Sequence, residues 1–264
     1  MGNAGSPSAS ALQDGHGCTV VVPCYNEAAR LHREQFVDFL GGTKNSAIHL
    51  LFVNDGSTDR TLAVLEELCA AFPQRAAVLN QQPNRGKAEA VRRGMLQVIE
   101  AGQSKFTGFW DADLATPLDQ IGDLLQLMLD HAEFNMVFGA RVRLLGRQIE
   151  RRPARHYLGR VFATVVSRLL RMPIYDTQCG AKLFRITPAL AQVLAEPFQS
   201  RWIFDVEMLA RFLALEHGHT QELEKQIYEY PLPVWTDVAG SKITSIDFLR
   251  AFVELVVIYR KDIA

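Results

Sequence analysis

The chain has 264 residues, 48% of them hydrophobic, and its 28 Lys and Arg against 29 Asp and Glu leave a formal charge of -1. That length suffices for one large α/β core with at most a small appended lobe, and so even a balance supplies no global attraction to nucleic acid. Four cysteines, Cys18, Cys24, Cys69 and Cys179, have no metal-ligand spacing and read as reduced, mostly buried thiols of a cytosolic protein.

Residues 1–16 are rich in Gly, Ser, Ala and Pro without an apolar core, and are expected to form a disordered leader rather than a signal peptide. Cys18 to Val22 is a short apolar run ending at Pro23; a helix is expected from Asn26-Glu27 to about Leu40, stopped by Gly41-Gly42. Ile48 to Val53 is the next strand, and it runs into Asn54-Asp55-Gly56-Ser57-Thr58-Asp59. Thr61 to Phe72 places Leu62, Leu65, Cys69 and Phe72 on one helical face. Ala77 to Asn80 is a brief third strand, followed by a Pro83-Asn84-Arg85-Gly86-Lys87 turn and a helix to about Glu100. Phe106 to Trp110 is a buried strand that ends in Asp111-Ala112-Asp113. Thr116-Pro117 then reads as an N-cap with Pro at the first helical position of a helix running to Leu129. Strand, turn and helix thus recur four times before Asp130, which predicts a mainly parallel sheet flanked by helices.

After the strand Met136 to Ala140 the character changes. Nine arginines lie between Arg141 and Arg171 against one acid, Glu150, while Leu158, Phe162, Val166 and Leu169 recur at helical spacing. Two readings stand: a basic amphipathic helix for an anionic membrane, or a core helix with its arginines in water. Nucleic acid is disfavoured because aromatic residues are not interleaved through the run. Cys179 to Arg185 reads as a strand, Pro188 to Ala195 and Phe204 to His217 as helices, Thr220 to Tyr230 as a weak edge strand, and Ile246 to Tyr259 as the last helix. The longest late apolar run, residues 251–259, is interrupted by Glu254 and too short to span a bilayer.

Chemistry concentrates where strands end, the edge at which open α/β sheets hold ligands. In an extended segment Asp111 and Asp113 would point the same way and share a divalent cation; the alternative is a loop aspartate and a helix cap. Asp55 directly follows a strand and suits hydrogen bonding to a base or ribose. Neither Gly-x-Gly-x-x-Gly after the first strand nor Gly-x-x-x-x-Gly-Lys-Ser/Thr occurs, which disfavours NAD and P-loop folds. Taken singly, Glu27 also fits a helix start and Lys87 a solvated helix residue.

Six ordered segments carry a more specific signal. Val21-Val22-Pro23-Cys24-Tyr25-Asn26-Glu27, Val53-Asn54-Asp55-Gly56-Ser57-Thr58-Asp59, Asn84-Arg85-Gly86-Lys87, Asp111-Ala112-Asp113, Gly139-Ala140-Arg141 and Asp176-Thr177-Gln178-Cys179-Gly180-Ala181-Lys182-Leu183-Phe184 together resemble the inverting family 2 glycosyltransferases. They are most similar to the branch that transfers sugars to polyprenyl phosphates, above all the dolichyl-phosphate β-glucosyltransferases. The resemblance covers about residues 17–245 and implies a GT-A fold there, with a basic excursion at 141–172 and a helix over 246–264 packed beside the domain. It implies that Pro23, Tyr25 and Glu27 line the nucleotide end of the donor site, that Asp55 recognises the base, and that Lys87 and Asp111 lie near ribose and diphosphate. Asp113 would be the principal ligand of Mg2+ or Mn2+, with Asp111 beside it, while Arg141 and Ser241-Lys242 would meet phosphate groups. Asp176 has three roles open to it: positioning the acceptor, orienting Arg141, or capping residues 177–179.

The implied reaction moves glucose from UDP-glucose to a polyprenyl phosphate. A phosphate monoester is already largely ionised near neutral pH, so it needs no strong general base. GDP-mannose as donor, a soluble acceptor, and a nonenzymatic nucleotide-sugar-binding subunit remain alternatives. Two departures stand out. Ala181 follows Gly180 where the glucosyl branch often has a larger residue, and the membrane helices common in relatives are not visible. Membrane contact is therefore assigned to the basic segment, with Leu158, Phe162 and Val166 toward lipid, or to a membrane-protein partner, and the expected location is cytoplasmic.

Overall fold

The computed structural model describes residues 17–150, 153–238 and 245–263. The expected leader and the Ser241-Lys242 pair lie outside the described residues. Seven strands form one sheet: β1 (Cys18–Cys24), β2 (Ile48–Asp55), β3 (Ala76–Gln81), β4 (Phe106–Trp110), β5 (Met136–Ala140), β7 (Ala181–Arg185) and β8 (Ile227–Pro231), in the spatial order β3-β2-β1-β4-β7-β5-β8. All neighbours are parallel except at β7, which runs antiparallel between β4 and β5. β6 (Gln148–Glu150) and β9 (Val234–Thr236) pair separately. The expected α/β architecture with a mainly parallel sheet is therefore present.

Helices cover both faces, so the central strands are apolar on both sides rather than alternating. Val20, Val22, Leu50, Phe52, Phe106 and Trp110 belong to one core, with α1 (Arg33–Gly41), α2 (Thr61–Ala71) and α4 (Gln120–Asp130). Val21, Leu51, Val53, Phe109, Phe138 and Phe184 belong to the other, with α3 (Lys87–Ala101), α5 (Pro153–Leu170), α6 (Pro188–Ala195), α7 (Phe204–Leu215) and α9 (Ser245–Ile258). The parity of each strand sorts its residues between these two cores. α9 contributes Ala251, Leu255 and Ile258, and a π-helical turn, Tyr259–Ile263, continues it. The four cysteines are free, and burial pushes the thiols of Cys69 to about 12 and Cys179 to about 11.

Several expectations are corrected. The helix expected from Asn26 starts only at Arg33, because residues 26–31 form a turn: Asn26 has φ 52° and the Glu27 carbonyl accepts from Arg30 and Leu31 N–H. Thr116 does not cap α4; its carbonyl instead accepts the indole N–H of buried Trp110 at 2.8 Å, and the helix begins at Gln120. Thr220 to Lys225 is a helix, α8, and only Ile227–Pro231 is the edge strand. The stripe on α5 splits. Phe162, Val166 and Leu170 are core, whereas Tyr157, Leu158, Val161 and Val165 are exposed. A face with Leu158, Phe162 and Val166 all toward lipid is excluded by the burial of the last two in the core.

Candidate active site at the sheet edge

Because β1, β2, β4 and β5 are mutually parallel in sense, their C-terminal ends meet at one edge, and β7, running the other way, begins there. The edge therefore collects residues 24–27, 55–59, 84–87, 111–113, 141 and 176–180, which belong to the six segments singled out in the sequence. That convergence depends on strand direction and not on proximity in sequence.

Asp55 terminates β2 and is 2% exposed. One oxygen accepts from Gln81 Nε2 (2.6 Å) and Arg85 N (2.8 Å), the other from Asn84 Nδ2 (2.9 Å) and Gly86 N (2.7 Å). Four donors fill the lone pairs of a carboxylate. In this structure the Asp55 carboxylate is taken up by these donors, which ties it to the Gln81–Gly86 turn that leads into α3. Gly86 has φ 92°, a conformation open to glycine. Gly56 (φ 63°) is needed for a second reason, since a Cβ there would overlap the Asn84 backbone.

That turn sets the start of α3, whose first residue is Lys87. Its Nζ lies 2.5 Å from Asp111 Oδ1. Burial works against the Lys87 charge, but the carboxylates of Asp111 and Asp205 outweigh it and hold its pKa above the ordinary lysine value. Residues 111–114 form a tight turn closed by Leu114 N–H to Asp111 O (3.2 Å), with Leu114 at φ 52°. The extended arrangement expected for the two aspartates is replaced by this turn, yet they remain electrostatically coupled. Desolvation, with the Asp111 charge second, pushes the Asp113 carboxyl above its usual range. Asp113 accepts the Ala115 N–H at 3.1 Å and forms no ion pair among the described residues.

A divalent cation tests well against this donor set. Hard oxygen ligands are present in two carboxylates, and Mg2+-type sites commonly combine one or two carboxylates with substrate phosphates and water. No group of three His, Cys, Asp or Glu gathers as a closed cage among the described residues. Gly180 contributes by having no side chain: a Cβ would overlap the Asp111 carboxylate, which packs onto the Gly180 backbone while Asp111 N–H bonds Gly180 O at 2.9 Å.

Pro23 is in β1 opposite Val53, and Tyr25 is exposed at the rim. Glu27 is fixed rather than free. Its backbone N–H bonds Thr61 Oγ1 (2.8 Å), and its carboxylate takes a fork from Arg30, Nε at 3.0 Å and Nη2 at 2.7 Å. Both Glu27 and Arg30 act electrostatically on Asp113, so Glu27 stands at the acidic turn as well as beside β1.

On the other side of β4, Arg141 follows β5 and meets Asp176 through Nε–Oδ2 (2.6 Å), Nη2–Oδ1 (2.7 Å) and its backbone N–H (3.1 Å). Asp176 also accepts Gln178 N–H at 3.3 Å, so its contacts fit both orienting Arg141 and capping residues 177–179. Arg141 lies 5.3 Å from the Trp235 ring centroid, so Trp235 is a packing partner of the site. Burial opposes the Arg141 charge, and Asp176 more than restores it. A small pocket beside this pair is lined by Arg141, Arg160, Tyr175, Thr177 and Gln178, and buried Thr177 Oγ1 has no hydrogen-bond partner among the described residues.

Sequence reading passed over four contributors. Arg160 covers Tyr175 at 3.7 Å and donates to its carbonyl at 3.1 Å. Glu229 receives the Tyr175 and Asp176 amides, both at 2.7 Å. Arg30, three residues after Glu27, had the spacing of a local ion pair as its signal. Asp205 had none beyond a helix start.

The model of the family described as Glycosyl transferase family 2 matches residues 19–191. The chain is 31% identical over 258 residues to a dolichyl-phosphate beta-glucosyltransferase of Saccharomyces cerevisiae, covering 91% of this chain and 73% of the yeast protein. It is 33% identical over 238 residues to that of Drosophila melanogaster, covering 86% and 69%. Among solved structures, glucosyl-3-phosphoglycerate synthase from Mycobacterium tuberculosis in complex with UDP superposes with a TM-score of 0.61 at 17% identity, covering 98% of this chain and 87% of that one. A mannosyltransferase from Pyrobaculum calidifontis in complex with GDP-Man and Mn2+ gives 0.61 at 17%, covering 95% and 65%. At such identities the structural likeness speaks for the fold, which is of the GT-A type.

Proposed function

The chain belongs to glycosyl transferase family 2, and from that premise we propose that it transfers glucose from UDP-glucose to a polyprenyl phosphate of the dolichyl type, inverting the anomeric carbon. The observation that carries the reading is the edge itself, where Lys87, Asp111 and Asp113 stand on one side of β4's end and the Arg141–Asp176 pair on the other. Similarity to proteins named dolichyl-phosphate beta-glucosyltransferase supports the choice of sugar and acceptor.

Asp113 and Asp111 would hold Mg2+ or Mn2+ against the donor diphosphate. Bound there, the cation supplies Lewis-acid stabilisation of the departing diphosphate. The chain's own residues do the rest. Lys87 adds a positive charge beside Asp111, and the turn fixed by Asp55 sets its position. Arg141, pre-oriented by Asp176, is a guanidinium suited to a phosphate, and the pocket with Arg160 and Thr177 beside it suits the acceptor phosphate. An acceptor phosphate oxygen bonds to C1 as the bond from C1 to the donor diphosphate breaks, and the electron pair leaves with the nucleoside diphosphate. A dianionic phosphate carries no proton to remove, so Asp176 serves to hold Arg141.

Peripheral contact with the cytoplasmic membrane face is part of the proposal. No helix among the described residues is long and apolar enough to cross a bilayer. The exposed side of α5, Tyr157, Leu158, Val161 and Val165, is an apolar strip on an arginine-rich helix, as interfacial binding requires. Incubating the protein with UDP-glucose, GDP-mannose and a polyprenyl phosphate, with and without Mn2+, and identifying products by mass tests donor and acceptor together. Glucosyl transfer to the lipid phosphate is expected; transfer to water-soluble acceptors alone would overturn the lipid assignment. In co-sedimentation with anionic vesicles, Leu158→Ser combined with Val161→Ser should release the protein without lowering its melting temperature, whereas Phe162→Ser should lower stability by about 3–5 kcal/mol.

A further inference from the structure

Lys182 is a buried charge whose side chain is 2% exposed in the middle of the sheet. Strand parity puts it on the same face as Phe184, and β7 pairs it with Phe109 on β4 and with Phe138 on β5. Its ammonium lies 5.3 Å and 5.4 Å from those two ring centroids. Two polar partners reach it, the Cys179 carbonyl at 2.6 Å and Asp205 Oδ1 at 2.7 Å. Such a buried pair does not stabilise a fold better than well-packed apolar side chains of similar volume. Its location suggests other work.

Asp205 sits in the first turn of α7, 7% exposed, and acts electrostatically on a second lysine, Lys87. The two ammonium groups share one ring, since Lys87 Nζ lies 5.9 Å from the Phe109 centroid. Charges therefore alternate inward from the sheet edge: Asp111, Lys87, Asp205, Lys182. Three carboxylates act on Lys87, those of Asp111, Asp205 and Asp113, and in the structure its ion pair is with Asp111, at the edge. Asp205 is the anion already engaged from below by Lys182. Without that cation Asp205 would be a buried carboxylate with Lys87 as the other cation acting on it, and in low dielectric the attraction would draw Lys87 inward.

We propose that Lys182 is a positioning residue: by engaging Asp205 it leaves Lys87 to Asp111 and so keeps the Lys87 ammonium at the edge where a nucleoside diphosphate binds. The proposal rests on the donor-site reading above and adds a residue that does not touch the ligand.

The test is a double-mutant cycle read as UDP binding by calorimetry in Mn2+, with GDP in parallel and a melting curve for every variant. Lys182→Gln keeps a donor for Cys179 O and Asp205 but removes the charge. It should weaken UDP binding about tenfold, within the range for coupled charges in one network. In a Lys87→Met background the same change should alter affinity less than about twofold, because the residue through which it acts is gone. Lys182→Gln with Asp205→Asn removes the competing anion as well and should restore affinity to within about twofold of wild type. Should the single variant fail to fold, this charge-free pair decides: wild-type affinity supports the proposal, and a persistent tenfold loss overturns it. Equal losses with and without Lys87 also overturn it, since a purely structural role would act on both backgrounds alike. If the wild-type chain binds neither nucleotide, the donor-site reading falls and the proposal with it; wild-type binding unaffected by Lys182→Gln removes the proposal alone.

Discussion

Two aspartates at the same sheet edge live under opposite conditions. Asp55, the last residue of β2, accepts four hydrogen bonds and is nearly inaccessible. Asp113, after β4, accepts one from a backbone amide, sits beside a second carboxylate, and has its pKa raised by desolvation. The difference separates construction from chemistry. A satisfied carboxylate has nothing left to offer a ligand and contributes rigidity, whereas an under-compensated one gains when a cation arrives. The same contrast recurs across β4, where Asp176 is tied into a fork with Arg141 and the nearby Thr177 hydroxyl has no hydrogen-bond partner among the described residues.

The contrast is easiest to break at Asp113. Asp113→Ala is expected to reduce transfer by about 10³-fold, the scale seen when a preorganised electrostatic stabiliser is removed, with melting temperature unchanged or higher. Retained turnover in a product assay would show that the acidic turn is not where the reaction occurs.

Asp55→Ala should behave in the opposite way. Its four donors, two of them backbone amides, would lose their acceptor, and a loss of stability of about 3 kcal/mol is expected in chemical denaturation, with nucleotide affinity falling through the misplaced turn. If stability is unchanged while affinity alone collapses, Asp55 contacts the ligand after all and the proposed division of roles is wrong.

A smaller effect sharpens the comparison by its sign. Folding raises the Asp113 pKa, so the folded state binds that proton more tightly than the unfolded chain does. The ionised carboxylate therefore costs stability above its folded pKa, and the cost disappears as pH falls through that value to below the unfolded one. Asp113→Asn should raise the metal-free melting temperature by a few degrees at pH 7 and by progressively less toward acid pH. Saturating Mn2+ should narrow the difference from the other direction by stabilising wild type. A melting gain independent of pH would point to packing instead of charge.

How much of this was legible beforehand follows from the kind of interaction involved. Local pattern sufficed for the strands Met136–Ala140 and the helix Pro188–Ala195, whose bounds agree with the structure, because apolar runs bounded by turn residues are set by nearest neighbours. Local pattern misled at Thr116–Pro117, where a cap signal was overridden by the Trp110 indole, and at Thr220–Lys225, where a weak alternation gave way to a helical turn. The arginine-rich segment is ambiguous because one helical stripe cannot reveal which of its rows is buried, and α5 uses Phe162 and Val166 for the core while leaving Leu158 and Val161 outside.

The sequence by itself determined the α/β class, the family, and the six segments that carry the site, since motif order survives without coordinates. Tertiary structure alone decided which lone pairs remain open. Asp55 and Asp113 look equally available as letters, and only the approach of Gln81, Asn84, Arg85 and Gly86 fills one of them. Lys182 and Asp205 lie 23 positions apart on different elements, and only the antiparallel insertion of β7 beside β4 brings that buried cation beneath the edge. Hydrogen bonds and ion pairs between distant segments depend on the direction in which strands run, and strand direction is a property of the assembled sheet.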